Sequence, residues 1–99
     1  MTAPMRATII PSDQFCSVDG VGMHDVDMTS VAPDVHAVQW YGSYGEVETQ
    51  DPATGKMVSN DEITSLDAFQ AVLDSYWAIR NAVEAEQAEA NAEQQIIEV

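Results

Sequence analysis

His36-Ala-Val-Gln-Trp-Tyr-Gly-Ser-Tyr-Gly-Glu-Val-Glu-Thr49 decides the fold. This stretch holds one of the two tryptophans, two of the three tyrosines and two of the five glycines. Val38, Trp40 and Val47 are its apolar marks, and Gly42 and Gly45 stand where a chain reverses cheaply. The spacing predicts two strands, about residues 37–41 and 46–50, turning back on each other between the glycines. Trp40 and Tyr41 are neighbours, so on a strand they point to opposite faces.

Upstream, Ala7-Thr-Ile-Ile10 is a β-type run stopped by the turn composition Pro11-Ser-Asp13. Gln14-Phe-Cys-Ser-Val18 follows, and Asp19-Gly20 is a strong hairpin signal because glycine accepts positive φ at little cost. Val21-Gly-Met-His-Asp-Val-Asp-Met28 changes apolar phase part-way, which suggests a bulge near His24 and Asp25. These three runs look like a β-meander. Thr29-Ser-Val-Ala-Pro-Asp-Val35 is a connector in which Pro33 suits the first turn of a short helix. Downstream, Asp51-Pro-Ala-Thr-Gly55 reads as a turn and Lys56-Met-Val-Ser59 as a short sixth strand, with Asn60-Asp-Glu62 leaving the sheet.

A helix is expected to open at Thr64-Ser65, with Thr64 and Asp67 approximating a capping box. Leu66, Phe69, Val72, Leu73, Tyr76, Trp77 and Val83 recur at three- and four-residue spacing, one amphipathic face. Beyond Val83 the composition turns to Ala, Glu and Gln, with high helix propensity and no large apolar side chain to pack. Ile96-Ile97-Glu98-Val99 closes the chain as an apolar patch on a polar tail. The expected fold is α+β: a small antiparallel β-meander of five to six strands packed against one long C-terminal helix. Its expected parts are a flexible leader over residues 1–5, one domain over 6–83 and an Ala/Glu-rich helical or frayed tail over 84–99.

The 99 residues carry seventeen carboxylates against Arg6, Lys56 and Arg80, a net charge of −14. Nucleic-acid binding needs Lys and Arg against phosphate, so no nucleic-acid partner is expected. The same field favours a basic protein partner. Cys16 is the lone cysteine, which excludes an intrachain disulfide and a cysteine-based zinc site. No apolar run reaches the roughly 18 residues of a membrane helix, and the N-terminus lacks the form of a signal peptide. The expected location is the cytoplasm of the cell that makes the protein.

Catalytic patterns are thin. His24-Asp25-Val26-Asp27 offers two or three ligand-type side chains, too few for a metal site without help from elsewhere. Asp19, Asp25, Asp27, Glu46 and Glu48 supply carboxylates for acid–base work, but a solvated strand surface explains them more simply. No GxSxG elbow is present, and Thr54-Gly55-Lys56 lacks the remainder of a phosphate loop. The expectation is therefore a protein that is not an enzyme, with no catalytic residue, no metal and no cofactor. Trp40 is expected in the core against Phe69, Tyr76 or Trp77. Tyr41, Tyr44, Glu46 and Glu48 are left as an outward-facing protein-interaction patch. Ile96, Ile97 and Val99 are expected as a second partner contact, and the C-terminal helix offers a route to homo-oligomers.

Met5-Arg-Ala-Thr-Ile-Ile-Pro-Ser-Asp13, Val18-Asp-Gly20, the run from His36 to Glu48 and Asn60-Asp-Glu-Ile-Thr-Ser65 together resemble a family of small tailed-bacteriophage and prophage proteins encoded among tail and tail-fibre genes. The resemblance covers roughly residues 5–77, and its HAVQWYG…YGEVE core is its distinctive part. It implies a tail or tail-fibre assembly factor or minor virion component, partnered by a tail or fibre protein. Such a protein would sit in the bacterial cytoplasm or be carried into the virion. The resemblance transfers no catalytic residue. The alternative, motivated by the charge alone, is an acidic nucleic-acid mimic that inhibits a host DNA-binding or defence protein.

Overall fold

The computed structural model describes residues 6–97, with side chains as far as residue 92. Six strands form one antiparallel sheet: β1 (Ala7–Ile10), β2 (Phe15–Val18), β3 (Val21–Met23), β4 (Val35–Trp40), β5 (Gly45–Gln50) and β6 (Met57–Ile63). A 3-10 turn over Asp67–Phe69 leads into helix α1 (Gln70–Ile97). The chain is thus the α+β fold expected, a sheet covered by one long C-terminal helix.

Spatial order in the sheet is β3-β2-β1-β4-β5-β6. Two three-stranded meanders meet at β1 and β4, which pair antiparallel with Ala7 opposite Trp40 and Ile9 opposite Val38. Asp19 and Gly20 take φ of 50° and 85°, the mirror-image turn that suits the right-handed twist of a two-residue hairpin, and Val18 pairs with Val21 across it. β3 is shorter than the run from Val21 to Met28 suggests. It ends at Met23, because Asp25 is left-handed at φ 63° and the Val26 amide turns back to the Gln14 carbonyl. The Pro33 connector is two turns, closed by Val31 on Met28 and Val35 on Ala32, rather than a short helix. β6 is longer than expected. Asn60, Asp61 and Glu62 stay in the ladder opposite Glu48, Val47 and Glu46, so a turn-like composition is carried by pairing with β5.

Alternation then sorts the sheet into two faces. Ala7, Ile9, Cys16, Val18, Val38 and Trp40 point to the covered face, where they meet Phe69, Val72, Leu73 and Tyr76 and also Val26 from the loop after β3. Each of these larger aliphatic side chains contributes roughly 1.5–3 kcal/mol by leaving water. Trp40 lies in that core with Phe69 and Tyr76, as expected, whereas Trp77 stays 38% exposed. The helix start differs in detail: the N-cap is Leu66, which makes no side-chain cap, and Ser65 Oγ, one residue earlier, accepts the Asp67 amide at 3.1 Å. The packed part of α1 ends near Arg80, and every side chain from Asn81 to Ala92 is exposed. A helix of 28 residues is about 42 Å long, so more than half of it projects past the sheet. The leader over residues 1–5 lies outside the described residues.

Cys16 has no solvent exposure, and burial pushes its thiol up to about 11. Its folded value stands above the unperturbed one of 9.0, so this preference for the neutral thiol supports the fold below about pH 9 and is lost as pH rises towards 11. A thiol-reactive aromatic disulfide at pH 8 is expected to modify the native protein about a hundredfold more slowly than the urea-unfolded chain. Equal rates would mean that the strand opens readily.

Candidate protein-interaction site

The face of the sheet turned away from α1 has no covering layer among the described residues. Thr8, Ser17, Gln39, Glu46, Glu48, Asn60 and Glu62 occupy it by register, with Arg6 just before β1 and Tyr41 just after β4. Thr8 Oγ1 donates to Gln39 Oε1 at 2.9 Å across β1 and β4, tying the centre together. At the β3 end the Phe15 ring lies over Gly22, where a Cβ would come within 2.6 Å of it, and tilts against His24 at 5.2 Å between centroids. His24 is therefore part of an aromatic contact at the sheet edge.

Three of the expected interaction residues come together at one end of this face. The reversal after β4 closes with the Tyr41 amide on the Tyr44 carbonyl at 2.8 Å, and Gly42 takes φ 113° within it. The tight turn brings the Tyr41 and Tyr44 rings to 5.2 Å between centroids at a tilt of 48°. Tyr41 Oη donates to Glu46 Oε2 at 3.1 Å, and the Arg6 guanidinium lies 5.7 Å from the Tyr41 ring centre. The two rings are 36% and 46% exposed, so a patch held by internal contacts still faces solvent. Such aromatics offer a rigid, amphipathic contact surface at low entropic cost. Glu48 stands one rung further along β5 and Glu62 directly opposite Glu46 on β6.

The Glu46 carboxylate holds the Tyr41 phenol above its ordinary range, chiefly by accepting its hydrogen bond. Glu46→Gln is expected to lower the Tyr41 titration midpoint, read from phenolate absorbance, with the fold unchanged. An unmoved midpoint would mean that the contact is not formed in solution.

Ile96 and Ile97 fall on α1, but their side chains, and all of Val99, lie outside the described residues. Two members of the patch escaped the sequence. Arg6 reads as the start of the domain and Glu62 as an exit from the sheet; the contact with the Tyr41 ring places the first and the register with β5 the second.

At the opposite end of β4 and β5 a half-open cleft of about 320 Å³ is walled by Pro11, Met28, Pro33 and Pro52. Ser12, Asp34 and His36 also line it, but no hydrogen bond joins any two of their side chains, so Ser12 has no base in contact with it. Among the described residues no three His, Cys, Asp or Glu side chains converge as metal ligands. Asp27 is engaged locally: Thr29 donates to its Oδ1 from both amide and hydroxyl, at 2.9 and 2.7 Å, which holds that carboxyl below the usual range. No helix among the described residues is long and apolar enough to cross a membrane. Comparisons with protein-family models, with curated proteins and with solved structures return no match.

Proposed function

We propose that this chain is a non-enzymatic accessory protein of bacteriophage or prophage morphogenesis, a tail or tail-fibre assembly factor or minor virion component. It acts by docking the open face of its sheet onto a tail or fibre protein, in the bacterial cytoplasm or within the particle. The observation that carries the docking reading is the exposed Tyr41–Tyr44 pair, braced by Glu46 and Arg6. The phage context comes from the resemblance of the run around Trp40 and Tyr41. Affinity capture from prophage-induced cells, followed by mass spectrometry, tests both parts. A tail or fibre protein caught by the parent and lost by the Tyr41→Ser/Tyr44→Ser variant supports the reading. The same catch with the variant, or no phage structural protein at all, counts against it.

Glu46, Glu48 and Glu62 on one face favour a second reading, an acidic mimic of nucleic acid that occupies a host DNA-binding or defence protein. Capture of such a protein, with binding that weakens steeply between low and moderate salt, would select it. Homo-oligomers through α1 are a further proposal, checked by sedimentation of the full chain.

A further inference from the structure

We infer that the outer flank of β6 is a strand-pairing edge that accepts an extended, lysine- or arginine-bearing segment of another protein. The inference rests on the reading that the chain works by protein contact, and it names the strand edge bordering the open face and the partner's chemistry. β6 is the longest strand, at seven residues, and only β5 pairs with it, so one row of its backbone donors and acceptors is unmatched among the described residues. Such an edge is a template for another strand. It has no proline within it, and its ladder is regular from Ser59 to Ile63; at its start, where the register shifts, Met57 and Val58 are 53% and 68% exposed and offer an apolar contact for an added strand.

Charge chooses the occupant. Asp61 and Glu62 are both exposed on β6, and Glu62 sits directly across from Glu46 with Glu48 on the next rung of the same face. Like charges directly opposite in a sheet are destabilising. A lysine or arginine opposite Glu62 would relieve that repulsion, whereas a second copy of this chain, also at −14, would add to it. The edge is thus guarded against itself and open to a cationic strand.

The test uses the isotope-labelled full chain and a synthetic peptide of about nine residues, lysine alternating with threonine or valine, long enough to span the strand. Two controls are the glutamate-for-lysine peptide and a backbone N-methylated lysine peptide, which keeps the charge and loses the donors. Expected are amide shift changes concentrated over Met57–Ile63, with binding at least tenfold weaker for both controls. Asp61→Lys/Glu62→Lys is expected to reverse the preference to the glutamate peptide by roughly tenfold, its parent-like spectrum showing the fold intact. Equal binding of the N-methylated peptide overturns the inference, because charge alone then explains it. So do unshifted β6 amides at about millimolar peptide, or a peptide-free dimer paired through β6. Shifts confined to Tyr41, Tyr44 and Glu46 overturn the edge while leaving the proposed docking face standing.

Discussion

Tyr76→Ala is expected to cost about 4 kcal/mol, the largest loss from any single truncation on the helix. Tyr76 is fully buried and is the point where α1, β3 and the core meet. Its hydroxyl donates to the Val21 carbonyl at 2.6 Å and accepts from Arg80 Nη1 at 3.1 Å. Its ring stands edge-on to Trp77 at 5.2 Å, and the Arg80 guanidinium lies over the Trp77 ring, 4.9 Å from its centre. Arg80 Nε sits 3.4 Å from the Glu84 carboxylate, close enough for an ion pair but without hydrogen-bond geometry, so that buried nitrogen has no hydrogen-bond partner. Truncation at Tyr76 therefore opens a cavity and removes two hydrogen bonds at once. Tyr76→Phe separates the two effects and is expected to cost about 1–2 kcal/mol. Urea unfolding of both variants measures this. A Tyr76→Phe protein as stable as the parent would show that the bridge to Val21 contributes nothing, and a mild Tyr76→Ala would place the anchor of the helix elsewhere.

Gly45→Ala is expected to cost about 3 kcal/mol although it adds one methyl group. Gly45 is buried opposite Trp40 and Ile63, and an added Cβ would collide with the Gln39 carbonyl oxygen and lie 2.9 Å from Trp40 Cε3. The first neighbour is backbone in the ladder, so the strand itself must move. Gly55→Ala is the control: open space surrounds that position, and only its φ of 74° opposes a side chain, at about 1–2 kcal/mol. Thermal midpoints should order as parent, Gly55→Ala, Gly45→Ala. A Gly45→Ala protein no weaker than Gly55→Ala would mean that the Trp40 ring has room to retreat.

Alternation around Trp40 and the three-and-four spacing from Phe69 to Tyr76 made the sheet, the helix and their shared core legible, because burial enforces both periods. Elements held by pairing rather than by their own composition were harder. Asn60-Asp61-Glu62 has the makeup of a turn and sits in a strand because β5 offers it a ladder. Val21 to Met28 has the makeup of a strand and leaves the sheet because Asp25 turns left-handed and Val26 dives into the core. Spatial order was likewise hidden, since nothing local to β1 or β4 says that they are neighbours. For the same reason Tyr41, Tyr44 and Glu46 were legible as an outward group within one hairpin, whereas Glu62 joins them only through register and Arg6 through its contact with the Tyr41 ring.

The junction of β1 and β4 bears on how the chain finds its fold. Within each meander the strands close across short connections, the tightest being Asp19-Gly20, and such hairpins form within microseconds. Pairing Ile9 with Val38 closes a much longer loop, and the entropy of that closure rises with its length. The seam at the centre of the finished sheet is therefore the costly step in time. The rate of folding should follow contacts across it, Thr8 to Gln39 among them, while changes in the outer strands act mainly on how fast the protein comes apart.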